Sequence, residues 1–125
     1  MVTQQEHENA LTSGLEMLRT ESRALSAHYD RELNRVFVEL NTGYALAFAP
    51  QRSEELHEAS ADDLADLAIS YPGFEIFFPR LDVGLWVPAL AKGHFGSVRW
   101  EAEWLAAHPL EENPAVRAGH KSEAA

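Results

Sequence analysis

The sequence predicts an α+β fold: a small antiparallel sheet built from two β-hairpins, with an N-terminal helix, a short middle helix and a C-terminal helix. Three observations carry that reading. Large apolar residues alternate with small or polar ones on either side of two turn signals, Asn41-Thr42-Gly43 and Pro79-Arg80-Leu81-Asp82, the period of a half-buried strand. Hydroxyl residues followed three positions later by acids, Thr3 with Glu6 and Ser60 with Asp63, are start signals of capped helices. The chain of 125 residues is 46% hydrophobic and 24% charged, the size and composition of one ordinary globular domain.

Taken in order, the Thr3 box opens a helix over Gln4–Thr20, with Leu11, Leu15, Leu18 and Leu25 on one stripe. Gly14 weakens its middle by about 1 kcal/mol relative to alanine, so the helix needs docking to persist; a frayed extension is the alternative. A strand around 25–29 and a turn over 30–34 follow. In the first hairpin a two-residue turn would put the large residues of the two strands on opposite faces. A three-residue Asn41-Thr42-Gly43 loop pairs Leu40 with Tyr44, Val38 with Leu46 and Val36 with Phe48 on one face, with Gly43 in the left-handed position.

Pro50 ends that hairpin because it cannot extend the ladder. Ser60 caps a short helix whose stripe is Leu64, Leu67 and Ala68, ending near Ile69 and broken by Tyr71-Pro72-Gly73. In the second hairpin Phe78 faces Val83, Ile76 faces Leu85 and Phe74 faces Val87. Its reverse face sets Phe77 opposite Gly84 and Glu75 opposite Trp86. Phe77 and Trp86 need a cover, either a helix over 97–108 carrying Trp100 and Trp104 or another protein. The domain plan is a helical extension at 1–27, the α+β domain at 28–108 and a polar, disordered tail at 109–125.

Composition bounds the chemistry. With no cysteine, disulfides, thiolate nucleophiles and cysteine-ligated zinc are excluded. The N-terminus has no basic, apolar leader and no apolar run is long enough for a bilayer, so a cytoplasmic protein without a membrane partner is expected. The net charge is −10, which disfavours direct nucleic-acid binding, since phosphate affinity comes from lysine and arginine. The densest acidic patch is Glu54, Glu55, Glu58, Asp62, Asp63 and Asp66; it reads as a solvated helix face or as a mimic of phosphates.

No catalytic signature appears. The six histidines include no pair at ligand spacing, and there is no nucleotide loop or nucleophile elbow. No metal, cofactor or catalytic residue is therefore expected, and the chain reads as a non-enzyme. Asp82, at a hairpin tip, reads first as a turn residue bonding its own backbone. The positive signal is aromatic: Phe77, Asp82 and Trp86 are the candidate partner-binding residues, because exposed aromatic side chains dominate interface hot spots. Trp86 is expected to be exposed, since its cross-strand neighbour is Glu75.

The run from Tyr29 to Trp100 resembles the bacterial family termed domain of unknown function 2442. The matching residues are Val38-Glu39-Leu40, Gly43, Phe48 and Pro50; Leu56, Ala59-Ser60 and Leu64; and Gly73, Phe78-Pro79-Arg80-Leu81-Asp82 and Leu85. Val87-Pro88-Ala89-Leu90, Gly93 and Phe95-Gly96 complete the set. The chain departs from the pattern at Gly84, where the family has a second aspartate, at Trp86, where a small polar residue is common, and in its acidic tail. The resemblance implies a small antiparallel α+β domain and an antitoxin-like partner of a small toxin protein, which the acidic balance of this chain makes a basic one; it implies no enzymatic activity.

The function expected is thus a non-enzymatic protein-binding module, antitoxin-like in its pairing. The alternative is an acidic inhibitor of a nucleic-acid enzyme that imitates DNA through the acidic patch. Self-association as a homodimer is the other partnership left open.

Overall fold

The computed structural model describes residues 3–109. The chain opens with α1 (Gln4–Thr20), where the Thr3 hydroxyl accepts from the Glu6 amide at 3.1 Å and the Glu6 carboxylate from the Thr3 amide at 3.2 Å. The expected capping box therefore forms. Strand β1 (Ala24–Asp30) follows directly. Its first residue, Ala24, is buried, and its amide donates to the Gly73 carbonyl at 2.7 Å. A domain boundary at 27/28 therefore falls inside a strand; the domain starts by Ala24, because that small apolar residue already belongs to the core.

Strands β2 (Arg35–Leu40) and β3 (Ala45–Phe48) form the first hairpin in the three-residue register, with Val38 opposite Leu46 and Val36 opposite Phe48. The Leu40 amide donates to the Tyr44 carbonyl at 2.9 Å, and Gly43 takes φ +93°. With β1 these strands make one sheet in the order β1-β2-β3. Pro50 both ends β3 and starts a 3-10 turn, Pro50–Arg52, where it is fully buried.

Helix α2 (Ala61–Ala65) carries the second capping box, Ser60 with Asp63, and buries Leu64. Here the structure corrects the sequence. The helix stops at Ala65 rather than near Ile69, and Ala68–Ser70 is strand β4, paired antiparallel with β5 (Glu75–Phe78). The edge of β5 offers unpaired backbone groups, and pairing with them satisfies residues that a longer helix would have left at a frayed end. Ala68, expected on a buried stripe, is exposed.

Strand β6 (Val83–Trp86) pairs with β5 in the expected register: Phe78 opposite Val83, Ile76 opposite Leu85, Phe77 opposite Gly84 and Glu75 opposite Trp86. The second sheet is β4-β5-β6, so the two hairpins lie in separate three-stranded sheets rather than in one. Val87–Ala91 is a short helix, α3, started by Pro88, and α4 (Val98–Ala107) is capped by Ser97.

Alternation decides which side of each strand is dry. Val36, Val38, Leu40 and Phe48 from the first sheet meet Ile76, Phe78 and Leu85 from the second, and Leu56, Leu64, Val87 and Leu90 fill from the connections. Burying a side chain of this size stabilises by about 1.5–3 kcal/mol, so the two inner faces hold the domain together. No helix of the described residues is long and apolar enough to cross a membrane.

Candidate functional site

The outward face of the second sheet follows from its register. Phe77 and Glu75 of β5 and Gly84 and Trp86 of β6 point away from the core that holds Ile76, Phe78 and Leu85. Phe77 and Glu75 are half-buried, and Trp86 is 48% exposed. The Phe74 ring supports the Trp86 indole at 5.5 Å between centroids.

Glu75 is held in place. Its carboxylate accepts from the Ser70 hydroxyl at 2.9 Å and lies over Gly84, in space that any side chain at position 84 would enter. Gly84 and Glu75 are therefore a matched pair: a bulkier residue at 84 would push the carboxylate away from Ser70.

Trp86 also stands at the mouth of a cleft of about 220 Å³, lined by Leu85, Ala89, Leu90, Phe95, Glu55 and His94 besides Gly84 and Gly96. Four segments build it. Strand β6 supplies one wall, α3 turns the chain back after Val87, the segment before α4 brings Phe95 alongside, and the turn after Arg52 contributes Glu55. The Glu55 carboxyl is held above its ordinary range by partial burial, with the neighbouring charge of Glu54 adding to the effect.

Of the partner-binding candidates, the structure brings Phe77 and Trp86 onto one face and leaves Asp82 apart. Asp82 takes the left-handed backbone position (φ +52°) at the hairpin tip, its amide donating to the Pro79 carbonyl at 3.3 Å. It stands at the far end of β6 from Trp86, about 13 Å away at 3.3 Å per strand residue.

Helix α4 does not cover the aromatic face. The Trp100 indole donates to the Arg52 carbonyl at 3.0 Å, and the Arg52 guanidinium lies 4.4 Å from the Trp104 ring and 5.0 Å from Phe95. The tryptophans expected to shield Phe77 and Trp86 instead hold the turn after β3. Arg52 pairs with Glu101, their side chains only 19% and 20% exposed. That hydrogen bond, helped by the Phe95 amide, keeps the Glu101 carboxyl below its ordinary value.

The acidic patch divides in two. Glu54 accepts from the Ser97 amide at 2.8 Å and so ties α4 to the turn. The Asp63 carboxylate accepts from the amide of the cap residue Ser60 at 3.3 Å and lies 3.3 Å from Arg80 of the hairpin tip. Asp62 pairs with Arg31, whose hydrogen bond lowers its pKa. Glu55, Glu58 and Asp66 are exposed. Half of the patch is therefore occupied in internal bonds.

Three of the histidines have local partners: His28 stacks on Phe37, His108 on Trp104, and the His57 ring lies 4.8 Å from Trp100. Among the described residues no three His, Cys, Asp or Glu side chains gather where a metal could be held. A second concavity, about 560 Å³, lies on the outer face of the first sheet between Leu25, His28, Phe37 and Tyr44. The sequence did not single out this concavity or the cleft. For the cleft, a usable signal was present: Pro88 followed by Gly93 marks the start and stop of a helix that folds Phe95 back toward β6.

No family model and no curated protein matches the chain. Two solved structures are similar to it. A protein of unknown function from Rhodospirillum rubrum is 40% identical, over 65% of this chain and 98% of that one, with a TM-score of 0.60. An uncharacterised protein from Chromobacterium violaceum is 28% identical, over 88% of this chain and 98% of that one, with a TM-score of 0.61.

Proposed function

We propose, for a chain that belongs to the same family as the Rhodospirillum rubrum protein, that its work is to bind another protein. The observation that carries this is Trp86: a half-exposed tryptophan on an outer sheet face, propped by Phe74 and on the same face as half-buried Phe77. A tryptophan left this exposed forgoes burial worth more than that of most side chains, and such residues are recurrent interface anchors. The partner is basic, because the chain carries a net charge of −10 and complementary charge steers association. Membership of the domain of unknown function 2442 family, cytoplasmic location and an antitoxin-like pairing with a toxin-like protein belong to the same proposal.

The acidic-inhibitor alternative would place the partner on the exposed carboxylates instead. Two variants separate the readings. Trp86→Ala should weaken capture of the basic partner in the native host by about 30-fold or more, the loss expected at a hot spot of about 2 kcal/mol. Glu58→Gln with Asp66→Asn should weaken it by less than about threefold. The reverse ranking, with thermal midpoints unchanged, would transfer the function to the acidic patch.

A further inference from the structure

We infer that the cleft beside Trp86 is a socket for one basic side chain, an arginine or lysine that the partner inserts between Trp86 and Phe95 toward Glu55. This rests on the protein-binding reading and adds the chemistry of its central contact.

Size is the first argument. At about 220 Å³ the cleft is smaller than the roughly 300–1,000 Å³ typical of small-molecule and cofactor sites. It suits a side chain rather than a free ligand. Lining is the second. Leu85, Ala89 and Leu90 give an apolar floor along which an aliphatic stem can lie, and Trp86 and Phe95 give aromatic walls. Lysine and arginine bury stems in this way while their heads seek charge, and an indole face attracts a cation.

Charge is the third. Glu55 is the one carboxylate or fixed cation among the lining residues, with the His94 imidazole the other polar side chain. A second carboxylate, Glu75, lies over the lining residue Gly84, directly across the strands from Trp86. The nearby guanidinium that could have neutralised Glu55 is already committed: Arg52 pairs with Glu101 and lies against the Phe95 and Trp104 rings. That internal site uses the same ingredients, a carboxylate beside aromatic faces, to hold an arginine of this chain. The cleft offers them without an occupant from the described residues.

The elevated pKa of Glu55 agrees with this geometry, since a partly desolvated carboxylate gains more from a cation than a fully hydrated one.

The test is an NMR titration of the full-length protein with n-butylguanidinium, n-butylammonium and n-butanol as probes. Either cation should saturably shift the Trp86 indole and the amides of Gly84, Phe95 and Gly96, leaving the amides of His28 and Tyr44 on the first sheet unmoved. It should bind at least about fivefold tighter than n-butanol, the ratio that corresponds to about 1 kcal/mol. Glu55→Gln, a change at an exposed position, should abolish that preference while keeping the thermal midpoint.

Equal shifts from n-butanol, a preference that survives Glu55→Gln, shifts confined to other surfaces, or no saturable binding by either cation would each overturn the socket. The outcomes separate from the broader reading. Cations that fail here while Trp86→Ala still releases the partner remove the socket alone. Cations that bind while no partner depends on Trp86 leave a cation-binding cleft but remove the protein-binding reading, and with it the partner side chain as the occupant.

Discussion

Gly73 has φ +115°, and a β-carbon on it would stand 2.6 Å from the Ala24 carbonyl oxygen. Both facts follow from one contact, the backbone bond that ties the turn before β5 to the start of β1. A side chain would force the turn and the strand apart, and the left-handed backbone would add strain of about 1–3 kcal/mol. Gly73→Ala should therefore lower unfolding free energy by at least about 2 kcal/mol in urea titration; a loss below 0.5 kcal/mol, roughly the scatter of neutral surface changes, would mean that the contact yields freely. Ser53 gives the opposite expectation. It is fully buried, and its hydroxyl has no hydrogen-bond partner among the described residues. Removing an unsatisfied polar group costs nothing and can stabilise, so Ser53→Ala should leave stability unchanged or raise it by up to about 1 kcal/mol. A fall of more than that would reveal a partner for the hydroxyl.

Elements show where the sequence was legible. Both hairpin registers could be read, because only one loop length put Val36, Val38 and Leu40 on the face of Leu46 and Phe48, and the same logic fixed Ile76 against Leu85. Both capping boxes could be read because Thr3 and Ser60 act within three residues of their partners. Strand β4 could not. Its three residues are too few for a period, and Leu64, Leu67 and Ala68 fit a helical stripe until the edge of β5 takes Ala68–Ser70. Helix α3 was signalled by Pro88 and Gly93, yet it is hidden behind the hairpin alternation that runs on to Val87.

Helix α4 is held by a contact no local pattern announces, Arg52 with Glu101, 49 residues apart. Because the pairing depresses the Glu101 pKa, its contribution is fully present above the unfolded value, near 4.5, and fades as pH falls through the lower folded value. Glu101→Gln should cost about 1–3 kcal/mol at pH 7. It should also flatten the fall of stability on acidification below pH about 4.5; an unaltered pH slope would place the stabilisation elsewhere.

At the scale of the molecule, two small sheets bury their inner faces against each other and leave two outer faces of different character. The first carries Phe37 and His28 beside small alanines; the second carries Phe77, Glu75 and Trp86 beside the cleft. Sequence alternation foretold that Trp86 would point outward, since its neighbour Glu75 excluded it from the core. It could not foretell that α4 would settle over Arg52 rather than over the second face. That placement depends on Trp100 and Glu101 meeting a turn some 50 residues earlier. Nor could spacing reveal that Glu54 and Asp62 are drawn into internal bonds, or that Asp63 meets Arg80.

Amide hydrogen exchange of the full chain, alone and with its captured basic partner, compares every surface at once. Protection should concentrate on residues 84–86 and 95–96, the rim of the Trp86 cleft, and be absent from Leu25, His28 and Tyr44 on the opposite sheet. Protection confined to that opposite sheet, or to α2 and its carboxylates, would contradict the account.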